Sequence, residues 1–216
     1  MSGSLGHARG SGKRWRCVAA MCAVACTLQS AHAWILTVTP GPKTIYLQVG
    51  TGSFTGGNYN AGGTPANNAT INKVSVTVPA PVIGTGAAQA MTSDSGTAAS
   101  FYDGFAVCNP PAQVYVGGWA RLPSGSGTAV LTVSSPANLT SGGNTIPFSQ
   151  ITWTSTANGN TSPDIAAGTF NGGTITLANI AAGTWVEDCH TFTYANTAVR
   201  AAGTYTGRAT YSLSLP

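Results

Sequence analysis

Tyr205-Thr-Gly-Arg-Ala-Thr-Tyr-Ser-Leu-Ser-Leu215 alternates without a break. Tyr205, Gly207, Ala209, Tyr211, Leu213 and Leu215 face one way; Thr206, Arg208, Thr210, Ser212 and Ser214 face the other. A period of two places successive side chains on opposite faces of an extended chain, so this run predicts a strand with one dry and one wet face. Reading back toward the N-terminus, similar short runs recur between Gly, Asn and Pro breaks. They are Trp185 to Tyr194, Gly168 to Ile180 around a Gly172-Gly173 turn, Pro147 to Ser155, and Thr128 to Ser134. Gln113 to Arg121 and Phe101 to Cys108 are two more, separated by Asn109-Pro-Pro111, whose prolines cannot donate to a ladder. Thr70 to Val78, Thr44 to Val49 and Trp34 to Thr39 complete the set, with a Gly/Asn/Thr-rich loop over 50–69. No window after residue 33 shows the 3.6-residue period of an amphipathic helix. The expectation is all-β: one antiparallel β-sandwich, immunoglobulin-like or jelly-roll-like, of about ten short strands.

The N-terminus reads differently. Lys13-Arg-Trp-Arg16 precedes the apolar run Cys17 to Cys26, and Ala31-His-Ala33 follows. A positive cluster, a short apolar core and a small-x-small site are the three parts of a secretory signal peptide, in order. The apolar run is about half the length a membrane-spanning helix needs. Residues 1–33 are therefore expected to be removed after Ala33, leaving one secreted domain over 34–216 and no transmembrane segment in the mature chain.

This division decides what the charge means. The net +4 of the whole chain is carried by Arg9, Lys13, Arg14 and Arg16. Beyond them, Lys43, Lys73, Arg121, Arg200 and Arg208 balance Asp94, Asp103, Asp164, Glu187 and Asp188. A nucleic-acid partner needs a basic face to exchange for condensed counterions, and the mature part has no such excess. Hydration falls instead to Thr, Ser, Asn and Gly. The cysteines split in the same way. Cys17, Cys22 and Cys26 lie in the leader, and Cys108 and Cys189 remain. In an exported chain the pair reads as one disulfide, with two buried thiols as the other reading. Two such distant cysteines do not make a zinc site.

The search for catalytic chemistry turns up little. His190 is the sole histidine after the leader and sits in Trp185-Val-Glu-Asp-Cys-His190. Asp188 shares its face, so a metal ligand or general base is geometrically conceivable; a polar strand end beside a disulfide is the structural alternative. No Gly-x-Ser-x-Gly elbow and no phosphate-loop spacing occurs. A glycosidase pair would have to be drawn from the five acids, of which Asp94 and Asp103 read as loop residues. The expectation is no catalytic residue, no metal, no cofactor and no enzyme activity. Trp119, Trp153 and Trp185 are candidates either for the core or for a platform under sugar rings. Asn68-Ala-Thr70, Asn138-Leu-Thr140 and Asn160-Thr-Ser162 match the glycosylation acceptor pattern.

Two family resemblances follow from the termini. Gly203 stands fourteenth from the end, followed by the alternating strand with Tyr205 and Tyr211 on its apolar face. This arrangement resembles the C-terminus of bacterial chaperone–usher pilus subunits, and Trp34-Ile-Leu-Thr-Val-Thr39 looks like a donor segment just after the cleavage site. The resemblance implies β-strand addition between copies or related subunits, with a periplasmic chaperone guarding the open edge. Trp34, Leu36, Val38, Gly203, Tyr205, Tyr211, Leu213 and Leu215 would make those contacts. Gly203-Thr-Tyr-Thr, Ile151-Thr-Trp153 and the closing Leu-x-Leu-Pro also resemble WxL cell-wall-binding domains, with Tyr211-Ser-Leu213 in place of the Trp-x-Leu. The expectation is a secreted or cell-surface structural or adhesive, pilin-like subunit. The alternative is a secreted glycan- or cell-wall-binding sandwich.

Overall fold

The computed structural model describes residues 45–49, 72–120 and 127–214, all within one compact unit, Val38–Pro216. In them the alternating sequence forms β1 (Ile45–Val49), β2 (Val74–Ser75), β3 (Gln89–Ala90), β4 (Thr92–Ser93), β5 (Val114–Ala120), β6 (Thr128–Ser134) and β7 (Asn138–Ser141). It continues with β8 (Asn144–Pro147), β9 (Ile151–Ala157), β10 (Gly168–Thr169), β11 (Thr174–Ala181), β12 (Trp185–Tyr194) and β13 (Thr210–Ser214). Two single 3-10 turns, Ala80–Val82 and Phe148–Gln150, are the only helical pieces among the described residues. No described helix is long and apolar enough to cross a membrane.

The chain is an all-β sandwich. One layer is ordered β1-β5-β12-β9-β10, with β3 also on β12, and the other is ordered β11-β6-β13. All pairings are antiparallel except β1 on β5. The small layer is built on β6, whose Ala129, Leu131 and Val133 are fully buried while Val130, Thr132 and Ser134 are half-exposed. Leu131 lies between Ala178 of β11 and Leu213 of β13. A bulge between Thr176 and Ala178 shifts β11 by one residue, which keeps both Ile175 and Ile180 on the apolar face. Facing these side chains, the large layer contributes Val114, Val116, Trp153, Val186, Phe192 and Tyr194.

Several strand boundaries depart from the sequence reading. Gly168 to Ile180 is not one hairpin: β10 pairs with β9 in the large layer and β11 with β6 in the small one. Gly172, at φ 76° and with Ala137 Cα 2.9 Å from where a Cβ would stand, carries the chain across. Phe101 to Cys108 is a loop, because short polar side chains satisfy its backbone locally. Ser100 Oγ accepts from Tyr102 N at 3.0 Å, and Asp103 Oδ1 accepts from Phe105 N at 3.0 Å. Of the expected run over 70–78, the described residues 72–78 form a ladder only at Val74–Ser75, with β4. The C-terminal run forms a ladder only over Thr210–Ser214. Upstream, Thr206 exchanges backbone bonds with Thr140, and Tyr205 OH donates to Ala201 O at 2.9 Å. Its facing is nonetheless alternating: Tyr205, Ala209, Tyr211 and Leu213 pack on the core while Thr206, Arg208, Thr210 and Ser212 are exposed. The expected leader, Trp34, Leu36, Val38, the loop over 50–69 and Leu215 lie outside the described residues.

Leu131→Ala is expected to cost about 3 kcal/mol, from lost burial plus a cavity between the layers. Val130→Ala on the other face of β6 should cost under about 1 kcal/mol. Equal shifts of the two urea midpoints would contradict the assigned facing.

Candidate functional site

β12 is the central strand, and it carries polar side chains on both faces. Val186, Asp188, His190, Phe192 and Tyr194 point into the sandwich; Trp185, Glu187 and Cys189 point outward. On the outer face these three lie opposite Trp119, Gly117 and Tyr115 of β5, respectively.

The outer face is roofed by the loop over 95–108, pinned at two places. Cys108 and Cys189 form the disulfide expected from the sequence, closing a separation of 81 residues. In the chain-entropy picture a loop of that size contributes about 4 kcal/mol. The second pin is Glu187, which is 7% exposed. Its Oε2 accepts from Ser100 Oγ at 2.7 Å and from Tyr115 OH at 2.5 Å, and its Oε1 accepts from Asn158 Nδ2. Both carboxyl oxygens are thus satisfied where water is largely excluded, which is the condition for burying such a group. Gly117 makes this possible. A Cβ there would stand 2.9 Å from the Tyr115 hydroxyl, so only glycine lets the phenol reach the carboxyl beside it. Phe101 meets Tyr115 edge-on at 5.4 Å, and Tyr102 lies 5.8 Å from the Trp185 ring.

A second loop, 158–167, closes the other side and is held from both faces of β12. Outside, Asn158 donates to Glu187. Inside, Ile165 N donates to Asp188 Oδ2 at 2.5 Å, while Ala166 bonds Leu177 O through its N and Trp153 Nε1 through its O. Asn160 Nδ2 donates to Asp164 Oδ2 across the loop at 3.0 Å.

Between the two loops lies a cleft of 410 Å³. Tyr102 and Trp185 form its aromatic wall, Glu187 its floor, and Asp103, Asn158, Asn160, Asp164 and Gly183 its rim. An aromatic pair beside amides and carboxyls is suited to holding a hydroxylated ring by stacking and hydrogen bonding.

The core face of β12 holds an unusual cluster. His190 is fully buried in mid-strand, not at a strand end; it stacks on Trp153 at 6.1 Å and meets Phe192 edge-on at 6.1 Å. Ser155 stands directly opposite it on β9. Neither ring nitrogen of His190, nor Ser155 Oγ, nor Asp188 Oδ1 has a hydrogen-bond partner among the described residues. Burial lowers the His190 pKa from 6.5 to about 3 and raises that of Asp188 from 3.8 to about 6.

The structure separates the residues singled out in the sequence. Trp119 and Trp153 are buried; Trp185 alone of the three reaches the cleft. Asp94 sits in a loop, where its Oδ1 accepts from Lys73 N at 2.8 Å. Asp103, Asp164 and Glu187 converge although they are far apart in sequence. Gly203 lies against Ser141, and Tyr205, Tyr211 and Leu213 pack on the core, away from this cleft. Among the described residues no group of three His, Cys, Asp or Glu could hold a metal ion. Tyr102, Asn158 and Asn160 were not legible as site residues: each lies in a loop whose position depends on Glu187. No protein family, curated protein or solved structure matches the chain.

The two buried titrating groups oppose one another. The folded value of His190 lies below that of a free imidazole, so its contribution is fully present above 6.5 and is lost as pH falls toward about 3. The folded value of Asp188 lies above that of a free carboxyl, so its contribution is full below 3.8 and is lost as pH rises through about 6. Each acts with a slope of about 1.4 kcal/mol per pH unit at most, so between about pH 4 and 6 they cancel. In that window Asp188→Asn should add a loss of stability on acidification, and His190→Phe should add a gain. Urea midpoints measured across it check this; three parallel pH profiles would contradict it.

Proposed function

We propose that the chain is exported and acts as a glycan-binding β-sandwich module at or beyond the cell surface. The observation that carries this reading is the cleft between Tyr102 and Trp185, framed by Asn158, Asn160, Asp103 and Asp164 above Glu187. A stacked pyranose face needs an exposed aromatic wall; ring hydroxyls need amide and carboxyl partners fixed in place; both are present. The disulfide supports export, since such bonds persist in oxidising compartments. Binding without cleavage is supported by Glu187, both of whose oxygens are engaged by neighbours, and by His190, which lies on the opposite face of the sheet. On an array of immobilised glycans the mature chain is expected to give discrete hits. Trp185→Ala and Tyr102→Ala should each weaken them by about tenfold, the size of a lost aromatic contact of about 1.4 kcal/mol. An array without hits, or hits unchanged in Trp185→Ala with its thermal midpoint intact, would refute the reading.

One observation favours a second reading, the pilin-like subunit. β13 pairs with β6 along one edge and is the outer strand of its layer among the described strands, with Tyr211 and Leu213 half-buried. A strand so placed can accept a further strand. Under that reading, purified mature chain forms concentration-dependent polymers by light scattering, and removing Trp34 to Thr39 abolishes them. A monomer at all concentrations counts against it.

A further inference from the structure

We infer that Asn158 is a site of spontaneous deamidation, and that its conversion unpins the loop over 158–167 from β12. The inference goes beyond the glycan-binding reading and does not rest on it. Asn158 and Asn171 are the two asparagines that a glycine follows. Glycine has no Cβ to hinder its amide nitrogen from approaching the preceding side chain. Gly159 is exposed, lies at φ 73°, and has nothing within 4 Å of where a Cβ would stand. β9 ends at Ala157, so this peptide lies beyond the ladder.

The chemistry needs only water. The Gly159 backbone nitrogen loses its proton and attacks Asn158 Cγ. A C–N bond forms, the Cγ–Nδ2 bond breaks, and the side-chain nitrogen leaves as ammonia, taking that proton. The cyclic imide then adds one water. Opening at one carbonyl leaves aspartate in the normal chain; opening at the other routes the chain through the side-chain carbonyl, as isoaspartate.

The two asparagines use opposite ends of their amides. Asn171 is exposed, and its Oδ1 accepts from Gly173 N at 2.9 Å. An aspartate keeps that acceptor, so conversion there changes little. Asn158 donates through Nδ2 to Glu187 Oε1, and only the NH2 end of an amide can meet a carboxylate in this way. Deamidation removes the donor and puts a carboxylate in its place. Glu187 is 7% exposed. Its Oε1 then loses its donor away from water and faces a like charge that solvent screens poorly. A second acid stands near, since the backbone N–H of Asn158 is one of those that act on the Asp188 carboxyl. While the loop is closed the Asn158 amide is turned to Glu187, so conversion proceeds through openings of the loop. Once it has occurred, reclosing cannot restore the pin.

The test is peptide mapping by mass spectrometry of the folded chain aged in mildly alkaline buffer, where the attacking nitrogen is more readily deprotonated. Peptides bearing Asn158 and Asn171 should both gain the mass of NH2 replaced by OH, Asn171 first because its side chain is exposed. Gly159→Ala should lose the gain at 158 and keep it at 171. After the aged chain is sorted by charge, limited proteolysis should cut the fraction converted at 158 within 158–167 and spare the fraction converted only at 171. Asn158→Asp should lower the thermal midpoint by about 5 °C, and Asn171→Asp by under about 2 °C. An Asn158 unchanged once Asn171 has fully converted overturns the inference. A fraction converted at 158 that resists protease as well as fresh protein overturns it too. The aged chain folds before it converts, so misfolding of Asn158→Asp does not blunt the test. No glycan is titrated, so failure here leaves the glycan-binding reading standing.

Discussion

The buried carboxyl of Glu187 is the constraint on which this molecule's surface depends. It sits on the outer face of the central strand, where a sandwich of this size would ordinarily present threonine or serine to water. Burying it uncompensated would cost more than a typical domain can spare. Its three donors come from three separate places: Ser100 from one loop, Tyr115 from the neighbouring strand, Asn158 from another loop. Satisfying one side chain thus fixes the position of two loops. Gly117 follows from the same requirement, since any larger residue would displace the Tyr115 hydroxyl. The disulfide at the next outward position, Cys189, holds the roof loop by a second, covalent link, so its placement does not depend on hydrogen bonds alone.

The opposite face of the same strand shows what such an arrangement costs. Asp188 holds the loop over 158–167 from within through Ile165, and so works with Glu187 on the same segment. Yet Asp188 and His190 are placed among aromatic and aliphatic side chains with polar atoms left unpaired among the described residues. An apolar residue at 190 would pack at least as well against Trp153 and Phe192. A core that retains polar groups in such a position trades stability for the placement of a loop. The opposing shifts of the two groups soften the consequence over the mildly acidic range, because the proton one gains on folding is the proton the other loses.

How much of this was legible in the sequence depends on which force shapes each segment. β6 could be read to the residue, because Thr128 to Ser134 has one face wholly apolar and burial alone determines it. The Cys108–Cys189 bond could be read as well, since little else pairs with either cysteine. Phe101 to Cys108 misled because it is rich in aromatic and apolar residues, while Ser100 and Asp103 supply local backbone partners that compete with a ladder. The Gly172-Gly173 turn was visible, but which layer each flank joins depends on partners far along the chain. β12 was visible as a strand and opaque as a site. Glu187-Asp-Cys-His190 carries polar residues on both faces, so alternation cannot say which face is buried, and both are.

The cleft itself lies beyond any local rule. Its wall joins Tyr102 to Trp185 and its rim joins Asp103 to Asp164, pairs that only the folded layers bring together. What the sequence does carry is the scarcity of charge that makes this gathering meaningful. Of the five acids in residues 34–216, three gather around this one opening.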